Sequence, residues 1–208
     1  MNIKSYLLYE DNNPLFLKYL NILPKEYQQV EYIESTGTQY IDTGIILRNN
    51  NWRIETDIKY TEYTDSRQLI GSVTSGYYFG INTDGYYELG GTSLSNVLAN
   101  LDDYDKVIYS NNSNTNVKTL NVNDTDVITR TNGSPSANNN YIFATGGNAK
   151  NYCKMRLKSY KLTIGNTLML NLVPCYRKSD NEVGLYDLVN DEFYTNQGTG
   201  DFTIPESV

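Results

Sequence analysis

From Glu26 onward the chain reads with a period of two. In NWRIETDIKY (51–60), Trp52, Ile54, Thr56 and Ile58 fall on one side of an extended chain, and Arg53, Glu55, Asp57 and Lys59 on the other. That period belongs to a strand with one buried face. GYYFGINTDGYYELG (76–90) predicts a hairpin turning at Asp84-Gly85, because aspartate and glycine both tolerate the backbone angles of a tight hairpin turn. TLNVNDTDVITR (119–130) turns near Asn123-Asp124, with Leu120 and Val122 inward. KLTIGNTLMLNLVP (161–174) turns at Gly165-Asn166 and places Leu168, Leu170 and Leu172 on one face. In CKMRLKSYKLTI (153–164) the inward phase moves from Met155 and Leu157 to Tyr160, Leu162 and Ile164, which predicts a bulge near Lys158-Ser159. NNSNTN (111–116) and TNGSPSANNN (131–140) are expected to be exposed loops. Roughly a dozen short strands separated by such turns make an all-β, two-sheet antiparallel β-sandwich.

The first residues follow another pattern. Asn13-Pro14 is a helix start, with asparagine as N-cap and proline in the first turn. It opens PLFLKYLNIL (14–23), which has almost no polar face, and a helix apolar nearly all round must be covered. Residues 1–23 are therefore expected to form a short N-terminal helical arm, and residues 24–208 the sandwich. Phe16, Leu20 and Leu23 are its anchors, either docking on another subunit or capping one edge of this domain.

Composition narrows the chemistry. The 208 residues carry a formal net charge of −7 and contain no histidine, twenty tyrosines and two cysteines. An acidic surface argues against nucleic-acid partners. Without histidine the usual general base, the usual zinc ligand and every Ser/His or Cys/His pair are missing. No run of apolar residues is long enough to span a membrane, and no signal-peptide pattern opens the chain. Cys153 and Cys175 are too few for a disulfide framework and are expected as packed thiols.

Both ends carry a resemblance. LPKEYQQVEYIESTGTQYIDTGI (23–45) resembles the opening of laminin-G-like, concanavalin A-like jelly-roll domains of bacterial surface proteins and bacteriophage virion proteins. KLTIGNTLMLNLVPCYRKSDNEVGLYDLVNDEFYTNQGTGDF (161–202) resembles their closing strands. The resemblance implies a lectin/glucanase-type jelly roll, a fold that hosts adhesion, decoration and hydrolysis alike. Ser35-Thr36-Gly37-Thr38 is then a tight passage between strands, with Gly37 supplying an unusual backbone angle.

Candidate sites follow from residue type. Hydrolases of this fold use a retaining carboxylate pair, Glu-x-Asp-x-x-Glu. Here Glu55-Thr-Asp57 is followed by Tyr60 where the second glutamate belongs, so no catalytic residue is assigned and the protein is read as a non-enzyme. Asp102, Asp103 and Asp105, or Asp124 and Asp126, offer hard oxygens without a known ligand spacing, so neither a metal nor another cofactor is expected. Lys154, Arg156 and Lys158 form an exposed basic face. Tyr77, Tyr78, Tyr86 and Tyr87 flank the Asp84-Gly85 turn, and Tyr78, Tyr87 and Trp52 are the candidate ligand-binding aromatics, a residue class suited to sugar stacking. These readings predict a non-enzymatic bacteriophage virion protein, a capsid decoration or tail component located in the virion. Its expected partners are other virion proteins, through the arm, and host-surface glycans, and self-association is open. The alternatives are a bacterial cell-surface carbohydrate-binding module and a glycoside hydrolase of the same fold.

Overall fold

The computed structural model of the chain describes residues 23–64, 67–72, 77–131, 138–145 and 151–205, and the alternating segments are strands. In chain order these are β1 (Tyr27–Gln29), β2 (Ile33–Thr36), β3 (Ile41–Asp42), β4 (Trp52–Tyr60), β5 (Gln68–Gly71), β6 (Tyr78–Ile81), β7 (Tyr86–Leu89) and β8 (Thr92–Leu98). They continue with β9 (Asp105–Asn112), β10 (Val117–Val122), β11 (Thr125–Thr131), β12 (Tyr141–Ile142), β13 (Lys154–Ile164), β14 (Thr167–Arg177), β15 (Val183–Asp187) and β16 (Glu192–Thr195). Ten strands make one sheet, ordered β11-β10-β9-β4-β13-β14-β15-β16, with β2 added beside β13 and β1 beside β14. Six make the other, ordered β3-β12-β5-β6-β7-β8. All pairings between named strands are antiparallel.

Local chemistry sets the turns. Asn123 and Asp124 both have positive φ, 52° and 63°, the conformation a two-residue hairpin needs. Gly165 turns β13 into β14 with φ 60°. The bulge in β13 lies between Leu157 and Ser159 against β4, where the inward phase changes. Leu170 and Leu172 are buried, but Leu168 at the hairpin end is 40% exposed. The asparagine loops are not wholly exposed: Asn111 is already part of β9, and Asn140 is buried with its Nδ2 donating to the Tyr160 hydroxyl at 2.5 Å.

Between the sheets lies a core in which tyrosine does much of the filling. Tyr60, Tyr77, Tyr87, Tyr109 and Tyr160 are fully buried beside Phe79 and Phe143. Gly37 has φ 103°, and the passage around it is held by buried Gln39. Gln39 Oε1 accepts from Thr36 N at 2.9 Å and from Ser35 Oγ at 3.1 Å. The two termini of the sandwich close on each other here. Gln197 N donates to Tyr40 O, Thr199 N donates to Thr38 O, and Thr38 Oγ1 donates back to Thr199 O. The two segments that carry the family resemblance thus form one clasp.

A second, smaller cluster (Leu23, Cys175, Tyr186 and Leu188) gathers Tyr27, Val173 and Phe193 around it. Leu23, expected as an arm anchor, is buried against its own sandwich. Phe16 and Leu20 lie outside the described residues.

Candidate functional site

The β6–β7 hairpin positions the most chemically loaded surface. Asn82 Oδ1 accepts from Asp84 N and Tyr86 N, and Gly85 completes the turn with φ 83°. A side chain at Gly85 would meet the Tyr63 ring at 2.5 Å. Alternation then sends Phe79, Ile81, Tyr87 and Leu89 into the core and leaves Tyr78, Gly80 and Glu88 on the other face of the sheet.

Two of the three expected ligand-binding aromatics are corrected by this. Tyr87 has no exposed surface; its hydroxyl donates to Asp105 Oδ2 at 2.8 Å and its ring packs edge-on against Tyr60. Trp52 is 2% exposed, packs on Tyr109 and Tyr77, and donates its indole N–H to Arg48 O at 3.0 Å. Both satisfy their polar atoms internally, as buried amphipathic rings must. Tyr78 alone remains, half-buried on the outer face.

Around Tyr78 the fold assembles charges that are far apart in sequence. Glu88 is wholly buried although it points away from the core, with Arg67 Nε 3.4 Å from its carboxylate. The Arg67 side chain is 45% exposed, so Glu88 acts as a hidden clamp on an outward guanidinium. Gly80 stands opposite Glu88 on the neighbouring strand, and both are buried. From the edge strand of the larger sheet, Arg130 Nη1 donates to Gly90 O and approaches Thr92 Oγ1 at 3.5 Å, which fixes a second guanidinium beside the hairpin. The Tyr78 hydroxyl lies over Gly91. Burial first, and then Glu88, push the Tyr78 phenol above its ordinary pKa, while Arg67 and Arg130 pull it down. The phenol therefore stays protonated, a donor as well as a flat apolar ring. A ring and two oriented guanidiniums can stack on and hydrogen-bond a ligand.

The other candidates resolve into structure. Glu55 is paired with Arg53 at 3.1 Å, and Asp57 accepts from Ser159 Oγ at 2.7 Å, so the two carboxylates are engaged on an open sheet face. Asp105 is buried and accepts from Tyr87, Asn100 N and Asn123 Nδ2, which makes it a hub for three segments. Among the described residues no group of three or more histidine, cysteine or acidic side chains is placed to hold a metal. Lys154, Arg156 and Lys158 are matched one for one by Glu62, Glu34 and Glu31, with Arg156 stacked on Tyr32 and Lys158 on Tyr104. A neutral groove lined by Asn51, Ser110, Asn112, Asn114, Thr115 and Thr119 lies at the β9–β10 end. A more apolar one runs past Tyr27, Arg177 and Tyr186.

Sequence reasoning missed Glu88, Arg67 and Arg130. The available signal was Glu88 itself, an acid at an alternate position between Tyr87 and Leu89, but its partners come from other segments.

No protein-family profile matches the sequence, and no curated protein does. Solved structures do match in fold. A candidate carbohydrate-binding protein from Bacteroides ovatus superposes with a TM-score of 0.53 at 14% identity, over 86% of this chain. The chain spans 60% of the length of that protein. A heptameric SAP-like pentraxin from Limulus polyphemus superposes with a TM-score of 0.50 at 8% identity, over 86% of this chain and 94% of the pentraxin. The galectin LEC-6 of Caenorhabditis elegans is more distant, with a TM-score of 0.37 at 16% identity over 68% of this chain. The chain shares the antiparallel jelly-roll β-sandwich fold of the first two.

Proposed function

We propose that this chain is a non-enzymatic glycan-binding protein that presents the Tyr78–Arg67–Arg130 surface to a saccharide. The observation that carries the reading is the wholly buried Glu88, which holds an exposed guanidinium beside a half-buried ring on the face of the hairpin turned away from the core. A carboxylate hidden on that face is costly unless it is paired, and its pairing with Arg67 holds that guanidinium in place. The lectin-type sandwich, shared with a candidate carbohydrate-binding protein, supports the same reading. On the sequence resemblance at both ends, the protein belongs on a bacteriophage particle as a decoration or tail component, where it would engage host-surface glycans. A bacterial cell-surface carbohydrate-binding module is the second reading, favoured by the likeness to the Bacteroides protein.

Binding to host cells and to a glycan panel tests the site. Tyr78→Ala should weaken it by about 0.5–1.5 kcal/mol, the worth of one stacking contact, with little change in melting temperature. Unchanged binding in both Tyr78→Ala and Arg67→Ala would remove the site. Mass spectrometry of purified particles tests the virion: a protein absent from them and present on host cells supports the second reading instead.

A further inference from the structure

We propose that the groove at the β9–β10 end is a second binding site, one that takes an uncharged saccharide on side-chain amide donors fixed in advance. This rests on the glycan-binding reading and deepens it, giving the chain a sugar site on the sheet that does not carry Tyr78.

The first observation is how two asparagines of the groove are held. Asn51 Oδ1 accepts from Ser113 N at 2.8 Å and from Ser113 Oγ at 3.0 Å, and Asn112 Oδ1 accepts from Asn114 N at 3.0 Å. A backbone N–H can only donate, so the atom it meets must be the amide oxygen, and the orientation of both carboxamides is decided. With each oxygen committed to the turn, each Nδ2 is left to face an incoming acceptor with its two N–H donors. The Asn51 backbone is held as well, since its carbonyl accepts from Gly165 N at 2.8 Å. Donors placed before the ligand arrives spare the ordering cost that weakens most surface contacts.

The second observation is what lines the rest of the groove. Ser110 on β9 and Thr119 on β10 stand directly opposite each other. They alternate with the buried Tyr109 and Leu120, so both hydroxyls lie on the outer face of the larger sheet. An asparagine in the turn helps to close a hairpin, but a pair of hydroxyls further along the ladder is not needed for that. Val117, half-buried, adds a small apolar patch. The groove measures about 390–440 Å³ in its class of shallow sites, 440 Å³ for this one, which falls within the span of small-molecule sites. Its described lining residues are uncharged. Arg53, beside Ser110 on β4, is paired with Glu55 at 3.1 Å. An ion entering such a lining would keep most of its desolvation cost. A ring of hydroxyls, each able to donate and accept, matches both the amide N–H groups and the Ser110 and Thr119 oxygens.

The test is an NMR titration of the isotope-labelled full chain with cellobiose, lactose and N,N′-diacetylchitobiose, and with glucuronate as the charged comparator. At least one neutral disaccharide should move the side-chain amide signals of Asn51 and Asn112 and the backbone signals of Ser110 and Thr119 saturably, and glucuronate should not. Asn51→Asp and Asn112→Asp keep the oxygen that holds the turn and remove the N–H donors, and Thr119→Val keeps the shape and removes the hydroxyl. Each should weaken the disaccharide by about fivefold, the worth of one hydrogen bond, with a melting temperature close to that of the parent. Groove signals unmoved by every neutral disaccharide, while a glycan panel still binds and is weakened by Tyr78→Ala, overturn this site and leave the glycan reading standing. Three variants that bind as tightly as the parent, or a glucuronate response equal to the neutral one, overturn it too. Groove binding lost in the variants, with panel binding indifferent to Tyr78→Ala, supports this site and sinks the Tyr78 surface.

Discussion

Tyr78 and Tyr87 look alike in the sequence, each one of a tyrosine pair beside the same turn, and the fold gives them opposite duties. Tyr87 points inward with Leu89 and anchors Asp105; Tyr78 points outward beside Glu88. Tyr87→Ala should therefore cost about 3–5 kcal/mol, as for other large core aromatics, and would be read as a large drop in urea midpoint. Asp105→Ala removes the acceptor shared by Tyr87, Asn100 and Asn123, and the buried Tyr87 hydroxyl left unpaired costs about 1–3 kcal/mol. A midpoint for Asp105→Ala within error of the parent would show that this hub is dispensable. The inward residues of β4 could be read from their pattern because polar and apolar positions alternate cleanly there. Tyr-Tyr pairs could not, since a tyrosine suits either face. Trp52 was misread for the same reason, because an amphipathic ring carries no sign of whether its N–H will find water or, as here, Arg48 O.

Turns and bulges were legible where their chemistry is local. Asp84-Gly85, Asn123-Asp124 and Gly165 each contain the residue type that the backbone angle demands, and a change of phase in β13 marks its bulge. Pairings between distant segments were not legible. The clasp between residues 38–40 and 196–199 leaves only its parts in the sequence, a Ser-Thr-Gly-Thr stretch at one end and Asn-Gln-Gly-Thr at the other. Gly198 shows how tight it is, since a Cβ there would stand 2.0 Å from Thr38 O. Gly198→Ala should push the closing segment off the opening one and cost about 1–3 kcal/mol, within the usual range for a packing clash. Thermal melting checks it, and an unchanged melting temperature would mean the clasp contributes nothing to stability. By contrast, Glu34→Gln breaks an ion pair of 2.6 Å on the outer face of β2 and β13, and partly solvated pairs of this kind contribute about 0–1 kcal/mol. The expected change is small and should shrink further in salt.

The tyrosine-rich, histidine-free composition has a consequence for the molecule as a unit. With no histidine to titrate, stability should vary little between about pH 6 and 8. Above that range the buried phenols and thiols take over. Burial holds Tyr60, Tyr87 and Tyr109 well above 10.0, and pushes Tyr186 up to about 12. It also raises the Cys175 thiol from 9.0 to about 12. Each of these groups is neutral when protonated and keeps its proton longer in the folded chain than in the unfolded one. Their contribution is therefore complete below pH 9 and is lost as pH rises towards 12, where the unfolded chain ionises and the folded one does not. The urea midpoint should stay level up to about pH 9 and then fall steeply, with tyrosinate absorbance appearing in step with the loss of tertiary structure. Below the transition both thiols should resist alkylation, because Cys153 and Cys175 are buried and the thiolate is the reactive form. Most tyrosines titrating near 10.0 with the fold intact would mean that these rings are wet, and the aromatic core described between the two sheets would have to be abandoned.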